Sequence, residues 1–403
     1  MALSVRRLDW HFIALQIGFW AMFAAAVPYQ APLLLNRGFT SGQIGVIVAV
    51  RCLAGIILQP MLGGWADRHP EVPLKKIVCL CLVLSLVVGI LFFAFPGISF
   101  PQTALVFVVL GGFELSAYPL MDAMAVQFIN AGYPVRYSLG RGIGAFSYAV
   151  ICILLGLQSG RFGVETTLVT HAALVAAEIV LVATFPTYPA AVHQAAGEEA
   201  PTEQPHTIPE ILRSNPRFTL MLCAILLGLT AILPISSFLV NILQDKGGGD
   251  EQLGLALFLM GASELPGALL FNKFQRRGVS SDKLLLVSLI FGALKALAML
   301  LAPTPGILLL VQPIQMLGYG IFTPASMYFV NEAVPKVDQV KGQTLMMVAS
   351  NGLGGMLGGL MGGKALDLGQ AAGVGSSWML LSCFACGAVG VVLACIAIKR
   401  KHT

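Results

Sequence analysis

Ionisable side chains lie inside the hydrophobic segments of this chain, where a charge is costly. On insertion scales, a charge near the middle of a bilayer costs about 2.5–3.5 kcal/mol, so such residues usually face a water-filled cavity or one another. Several of them in one polytopic protein indicate a pathway for a polar solute. These residues are Arg51, Glu114, Asp122, Arg141, Glu178, Glu264 and Lys295.

The composition places these charges in a membrane protein. Of the 403 residues, 57% are hydrophobic and only 11% are charged, and the mean hydropathy is +0.83. The net charge of +5 gives no support for nucleic-acid binding. The sequence has no G-x-x-x-x-G-K-[ST] motif, so hydrolysis of ATP within this chain is not the expected energy source. Residues 1–33 lack a cleavage site and are interpreted as a retained first span.

No cofactor, metal or catalytic group is indicated. The eight cysteines fall in apolar runs, and the spacing of Cys79 and Cys81 is not that of metal ligands, so neither a disulfide nor a metal is predicted. The six histidines are too scattered for an enzyme site, and we predict no enzymatic activity. The expected partners are a small-molecule substrate, protons and the lipid bilayer, for a chain that works as a monomer.

Twelve apolar spans can be placed, each long enough to cross a bilayer. A stretch rich in Pro, Glu, Gln and His separates two sets of six and is predicted to be a flexible cytoplasmic linker. We therefore predict an all-α membrane protein with a bundle at 1–186, a linker at 187–215 and a bundle at 216–403. The spans are 11–33, 42–62, 76–95, 103–129, 140–157, 166–185, 217–243, 253–273, 284–302, 307–331, 343–363 and 377–398.

The distribution of basic residues predicts the orientation. If both termini are cytoplasmic, most of the 24 Lys and Arg residues fall in cytoplasmic segments, as the positive-inside rule requires. We expect an integral protein of a bacterial inner membrane. The outside set is small, and consists of Arg37, Arg161, Lys246 and Lys364.

The loop after the second span carries a short motif that the positive-inside rule does not explain. Gly63, Asp67 and Arg68 form the pattern G-x-x-x-D-R. It resembles the G-x-x-x-D-[RK] signature of the major facilitator superfamily, which implies a cytoplasmic latch between neighbouring helix ends in one conformational state. The alternative is a simple positive anchor, but that would give Asp67 no role.

The two halves also repeat, as the major-facilitator plan requires. Spans four and ten end in similar segments, 128–134 and 329–335, and spans two and eight each carry a proline, Pro60 and Pro266. Two parallel six-span repeats imply a substrate site between the halves near the midplane of the membrane. The segments 41–45 and 58–63 further resemble the lactose permease-like branch, which also contains nucleoside and arylpropionate permeases.

The resemblance to that branch implies a substrate-binding set in the first half. Asp122 matches a carboxylate that holds sugar hydroxyls, Arg141 matches its arginine partner, and Tyr148 matches an aromatic that stacks on the sugar ring. Arg141 and Tyr148 are seven residues apart and share a helix face, so both can line one cavity. The alternative is a structural Asp122–Arg141 ion pair with Tyr148 packing the bundle.

The second half departs from the pattern of lactose permease. Lys295 lies where that branch has an arginine, and Glu264 lies near a carboxylate position. Gln315 and Gly318 occupy the places of a histidine and a glutamate that serve proton coupling. The resemblance therefore does not carry proton coupling over, and Lys295 and Gln315 are candidates for substrate binding.

Proton coupling is predicted from charge counting instead. The carboxylates Glu114, Asp122, Glu178 and Glu264 outnumber the cations Arg51, Arg141 and Lys295, so at least one carboxylate lacks a cationic partner. Desolvation favours the protonated form of such a group, which could carry a proton. The candidates are Glu264, Glu114 and Glu178, and Arg51 is either an anion contact or the counter-ion of Glu114.

These observations favour a secondary transporter that works by alternating access. The leading hypothesis is proton-coupled import of a small polar ring compound, a sugar or glycoside before others. Proton-antiport efflux of drugs or sugars and symport of nucleosides or aromatic acids remain alternatives, because the same scaffold serves all of them.

Overall fold

A computed structural model describes residues 5–187 and 206–400, and they are almost entirely helical. The predicted linker at 187–215 lies largely outside the described residues. The α-helices are α1 (Val5–Ala26), α2 (Gln30–Asn36), α3 (Ser41–Arg68), α4 (Leu74–Ala94), α5 (Phe100–Asn130), α6 (Tyr137–Phe162), α7 (Thr166–Thr184), α8 (Ile208–Ser214), α9 (Pro216–Ser237), α10 (Leu239–Asp245), α11 (Asp250–Arg276), α12 (Ser281–Leu301), α13 (Pro305–Val311), α14 (Tyr319–Ala333), α15 (Gln339–Met347), α16 (Gly355–Ala371) and α17 (Ser377–Lys399).

These helices make twelve segments that are long and apolar enough to cross a membrane. A helix rises 1.5 Å per residue, so about 20 residues cross the hydrocarbon layer of about 30 Å. Because lipid offers no hydrogen-bond partners, each span must satisfy its backbone groups within the helix. The predicted fold class, an all-α membrane protein with twelve spans, is confirmed, and each predicted span overlaps one of the observed segments.

The described residues cluster into two compact units. The first comprises those within Met1–Arg37 and Val50–Glu199, and its core lies mainly where α1, α4, α5 and α7 meet. Leu8, Phe12 and Phe128 are fully buried there. The helix pairs α1–α6 and α4–α5 make its most extensive contacts. This unit therefore holds α1 between α6 and α7.

The second unit comprises the described residues within Gly38–Ala49 and Ala200–Thr403. Its core includes Phe218, Phe271 and Phe329, all fully buried, from α9, α11 and α14. Helix α9 packs most extensively against α17, and it also packs against α16. Glycines permit this close approach, because a Cβ on Gly358 would lie 2.9 Å from Cδ of Pro234 in α9.

The first turns of α3 cluster with the second unit, although the rest of α3 belongs to the first. Oδ2 of Asp367 in α16 accepts hydrogen bonds from the backbone N of Gly42 at 2.9 Å and from Oγ1 of Thr40 at 3.2 Å. A Cβ on Gly45 would overlap with the carbonyl O of Gly359. A carboxylate at a helix N-terminus satisfies free N–H groups and complements the helix dipole, so Asp367 fixes the start of α3.

Several membrane segments are interrupted rather than continuous. A turn separates α1 from α2, Phe238 separates α9 from α10, and a 3₁₀ segment, Gln312–Met316, separates α13 from α14. A π-helical segment, Val348–Gly354, lies between α15 and α16. Such breaks are tolerated in a membrane where the backbone is buried in protein or lines a cavity, and they are frequent near functional sites.

Candidate functional site

Asp122 on α5 lies at the centre of a polar cluster in the first unit. Its Oδ1 accepts a hydrogen bond from Nε2 of Gln16 at 2.8 Å, and its Oδ2 accepts one from the hydroxyl of Tyr137 at 2.9 Å. Nη1 of Arg141 lies 3.3 Å from the same Oδ2. We call Gln16, Asp122, Tyr137 and Arg141 the Asp122 cluster. The predicted proximity of Asp122 and Arg141 is thus observed, with both side chains partly exposed.

Aromatic rings surround the arginine of this cluster. The guanidinium carbon of Arg141 lies 4.9 Å from the ring centroid of Tyr118 and 5.9 Å from that of Trp20. The Trp20 ring is perpendicular to that of Tyr148, with centroids 6.2 Å apart. Cations over aromatic faces are attracted by the ring quadrupole. Carboxylate, guanidinium and aromatic faces thus occupy one part of the first unit.

Three buried polar atoms around the cluster have no hydrogen-bond partner among the described residues. They are Oε1 of Gln16, Nε1 of Trp20 and the hydroxyl oxygen of Tyr118. A buried polar group without a partner costs about 1–3 kcal/mol. Two donors and an acceptor left open beside an Asp–Arg pair match the needs of a polyhydroxylated ligand, whose hydroxyls both donate and accept.

Glycines of α6 bring α1 into place beside α5. A Cβ on Gly140 would lie 2.8 Å from Cε1 of Phe12, and a Cβ on Gly144 would lie 2.6 Å from Cδ1 of Trp20. The face of α1 that carries Gln16 and Trp20 therefore lies directly on the backbone of α6. Since α6 also carries Arg141, this packing sets the geometry of the whole cluster.

In the second unit, Gln315 lies between the two ionisable residues predicted there. Nζ of Lys295 donates a hydrogen bond to Oε1 of Gln315 at 2.9 Å, and Nε2 of Gln315 donates one to Oε1 of Glu264 at 3.2 Å. We call these residues the Lys295 triad. Lys295 and Gln315 are 2% and 4% exposed. The triad is a continuous chain of hydrogen bonds from an ammonium group to a carboxyl group.

The broken helix positions this triad. Gln315 belongs to the 3₁₀ segment, so its side chain does not follow the register of α14. A Cβ on Gly267 of α11 would overlap with the carbonyl O of Met316, and a Cβ on Gly320 would lie 3.1 Å from the carbonyl O of Glu264. Close approach of the two backbones at these glycines brings Glu264 within reach of Gln315.

A third polar group is buried in the first unit. Nη1 of Arg51 donates a hydrogen bond to Oε1 of Gln30 at 3.2 Å, and Nη2 lies 4.0 Å from Oε2 of Glu114. Nε2 of His171 lies 3.1 Å from Oε1 of the same glutamate. Each of these four side chains is less than 9% exposed. Of the two roles considered for Arg51, the geometry fits the counter-ion of Glu114.

The remaining predicted residues lie apart from these groups. Glu178 on α7 is fully buried, and neither of its carboxyl oxygens has a hydrogen-bond partner among the described residues. Asp67 and Arg68 at the end of α3 are exposed, and neither forms an ion pair with another residue in the described part of the chain. A Cβ on Gly63 would meet open space. Within the described ranges, the latch residues therefore make no ion pair in this conformation.

Sequence reasoning missed four residues of the Asp122 cluster and its aromatic surroundings: Gln16, Trp20, Tyr118 and Tyr137. A signal existed for two of them. Gln16 is one of two amides inside the apolar span 11–33, and Tyr137 precedes Arg141 by four residues and so shares its helix face. Trp20 and Tyr118 look like ordinary aromatic residues of a membrane span, and only the helix packing brings them beside Arg141.

Comparison with known proteins independently supports the interpretation that this chain is a transporter. Residues 12–374 match the family model described as the MFS_1 like family. Maltose permease of Geobacillus stearothermophilus is 24% identical over 382 residues, which are 94% of this chain and 92% of that protein. An uncharacterized transporter of Bacillus subtilis strain 168 is 22% identical in an alignment of 423 positions that covers 100% of this chain and 97% of that protein.

Solved transporters share the fold. The nucleoside transporter NupG superposes with a TM-score of 0.79 at 18% identity, covering 97% of this chain and 98% of that one. The POT family transporter PepTSo superposes with a TM-score of 0.72 at 13% identity, covering 98% of each chain. At these identities the likeness concerns the fold alone.

Proposed function

The chain belongs to the MFS_1 like family and is a membrane transporter of the major facilitator class, and from this membership we propose that it imports a small polar ring compound together with protons. A sugar or glycoside is the first substrate class to test, and the transport cycle is alternating access. We place the protein in a bacterial inner membrane, with cytoplasmic termini, and expect it to work as a monomer.

The observation that carries the sugar proposal is the set of buried polar atoms around the Asp122–Arg141 pair that have no hydrogen-bond partner among the described residues. Hydroxyls of a sugar could accept from Nε1 of Trp20 and donate to Oε1 of Gln16, while the charged pair supplies strong, directional hydrogen bonds. Tyr148 offers an aromatic face next to Trp20. The name of the maltose permease, similar over most of both chains, supports the same class.

We assign proton coupling to the Lys295 triad before the other carboxylates. Glu264 has no cation within ion-pairing distance among the described residues and reaches Lys295 only through Gln315. A proton gained or lost at Glu264 would therefore change the strength of the hydrogen bond between Gln315 and the ammonium group of Lys295. Lys295 and Gln315 also remain candidates for contact with the substrate. Glu114 is less suited to carry the proton, because Arg51 and His171 lie beside it.

We keep Gly63, Asp67 and Arg68 as a latch that acts in another conformational state. Alternating access requires contacts that form in one state and break in the other. Exposed charges at the cytoplasmic end of α3 are free to make such contacts.

A thermal-shift screen of the purified protein tests the substrate proposal. Sugars, glycosides, nucleosides, aromatic acids and cationic drugs are compared, because a ligand that binds only the folded state raises the apparent unfolding temperature. We expect stabilisation by a sugar or glycoside that is lost in Asp122→Asn and in Arg141→Ala. Glu71→Gln, which removes an exposed carboxylate from a loop, is the matched control and should keep the shift.

Other outcomes would change the proposal. Stabilisation by nucleosides or aromatic acids alone would identify a different substrate class that binds at the same proposed site. Stabilisation by lipophilic cations alone, insensitive to Asp122→Asn, would favour efflux and return Asp122 and Arg141 to a structural role.

A further inference from the structure

Glu178 occupies a position that the proposed transport mechanism does not use. It lies on α7, is 0% exposed, and offers two carboxyl oxygens that accept no hydrogen bond from the described residues. A carboxylate in such a place would be charged and desolvated without compensation, which is strongly unfavourable. The geometry therefore calls for a neutral carboxylic acid here.

The carboxyl group fits into a notch in α1. A Cβ on Gly18 would overlap with Oε2 of Glu178 and would lie 3.3 Å from Cδ1 of Leu181. Only glycine leaves this space, so the side chain of Glu178 rests directly on the backbone of α1. Any change in the volume or charge of Glu178 acts on α1 at this point.

The opposite face of α1 carries part of the Asp122 cluster. Gln16 donates to Asp122 at 2.8 Å, and Trp20 packs on Gly144 of α6. Both residues lie within two positions of Gly18 along the same helix. Helix α1 thus stands between Glu178 and the proposed substrate site, and a displacement at Gly18 would move Gln16 and Trp20.

The charged and titratable groups that contact α7 around Glu178 bond to atoms other than its carboxyl oxygens. None of the described residues forms an ion pair with Glu178. His11 of α1 lies 2.9 Å from the carbonyl O of Leu181, and Lys75 of α4 donates to the carbonyl O of Phe185. Cys79 of α4 lies next to the carbonyl O of Ile179, and His171 of α7 itself lies beside Glu114. On α6, Arg141 and Tyr148 lie beside Trp20, on the other side of α1.

We propose that Glu178 is a proton-operated positioning residue: it holds a proton while its carboxyl group rests on Gly18, and loss of that proton to water displaces α1 and withdraws Gln16 and Trp20 from the substrate positions. The link to substrate affinity rests on the function proposed above. The proton and the movement of α1 do not, and they can be measured without any ligand.

The first measurement compares the ligand-free wild type with Glu178→Gln, which keeps the shape but cannot ionise. The unfolded chain ionises this carboxyl group and the α1–α7 contact holds it neutral, so a rise in pH favours unfolding of the wild type. Between about pH 5 and about pH 8 we expect the apparent unfolding temperature of the wild type to fall by at least about 2 °C more than that of Glu178→Gln. Equal pH profiles would overturn the proposal.

The second measurement follows α1 through the fluorescence of Trp20. The spectrum of the wild type should change over the same pH range, and the change should disappear in Trp20→Phe and in Glu178→Gln. A pH-dependent signal that persists in Glu178→Gln would show that α1 moves for another reason. A wild-type signal that does not change would show that α1 does not move, and would overturn the proposal.

A double-mutant cycle then tests the contact between Gly18 and Glu178. Gly18→Ala should lower the apparent unfolding temperature, and adding Glu178→Ala should restore part of the loss because the carboxyl group no longer competes for the space. Gly142→Ala on α6 is the matched control, since a Cβ there would meet nothing within 4 Å. Strictly additive effects would place Glu178 away from Gly18.

The last measurement uses the sugar that gives the largest thermal shift. Its affinity for the wild type should fall with rising pH, while its affinity for Glu178→Gln should change at least about tenfold less over the same range. If the affinities of the wild type and Glu178→Gln changed with pH in parallel, Glu178 would have no effect on the substrate site. If no compound of the panel binds the wild type, the proposed function fails, while the three ligand-free measurements still decide the role of Glu178.

Discussion

Lys295 donates a hydrogen bond to Gln315 at 2.9 Å, and this neutral amide is the partner of an ammonium group that is 2% exposed. Within the described part of the chain, no carboxylate lies within ion-pairing distance of Lys295. A single amide thus compensates a buried charge and at the same time donates to Glu264 at 3.2 Å. A change at Gln315 would therefore alter the hydrogen bonding of both Lys295 and Glu264.

Replacing Gln315 by leucine should destabilise the protein. A hydrogen bond to a charged group contributes about 1.5–3 kcal/mol, so the apparent unfolding temperature of a chain of this length should fall by about 2–4 °C. Gln312→Leu is the matched control, because Gln312 is also buried but, among the described residues, donates to the neutral carbonyl O of Leu308 and a methionine sulfur rather than binding a charged group. Its loss should be smaller. In a Lys295→Met background, Gln315→Leu should cost little, and an unchanged cost there would mean that the amide does not serve the lysine.

Replacing Glu264 by glutamine should separate exchange from accumulation. The variant cannot release a proton, so proteoliposomes should lose concentrative uptake driven by a pH gradient and keep exchange of labelled substrate. Glu71→Gln serves as the control and should accumulate substrate at the wild-type rate. Full concentrative uptake by Glu264→Gln would remove this residue from proton coupling.

Trp20 should contribute to substrate affinity through both its ring and its open N–H group. Trp20→Ala should weaken binding by about 2 kcal/mol, which is about thirtyfold in Kd, and Trp20→Phe should lose a smaller part. Titration calorimetry provides the measurement. Trp10→Ala, on the same helix but with a ring that is 54% exposed, should bind normally. Equal effects of both alanine variants would indicate damage to α1 rather than to the site.

Asp67→Asn should slow turnover and leave affinity intact. Asp67 is exposed and makes no ion pair with another described residue, so its charge is not needed in this conformation. We propose that its contacts with neighbouring helix ends form only in another conformational state. Transport rate and thermal-shift affinity are measured on the same preparation. A binding signal that disappears while the protein remains folded would contradict a latch role.

The twelve spans and the fold class could be predicted because hydropathy is a local property. Each span needs about 20 consecutive apolar residues, and those residues are adjacent in the sequence. The interruptions could not be predicted in the same way. The 3₁₀ segment at Gln312–Met316 lies inside the predicted span 307–331, and the tight contact between α11 and α14 at Gly267 and Gly320 accompanies it.

Hydropathy shows which side chains of the sequence are costly to bury, and from this a polar pathway could be expected. The Asp122–Arg141 pair was implied only by the resemblance to the lactose permease-like branch. The tertiary structure decided which neighbours complete each group. Gln16 and Asp122 are 106 positions apart, and Gln30 and Arg51, on α2 and α3, are 21 positions apart. The physical reason is that the register between helices is set by small residues at their contacts. Gly18 and Gly144 fix where α1 lies, and so decide what faces Glu178 and what faces Asp122.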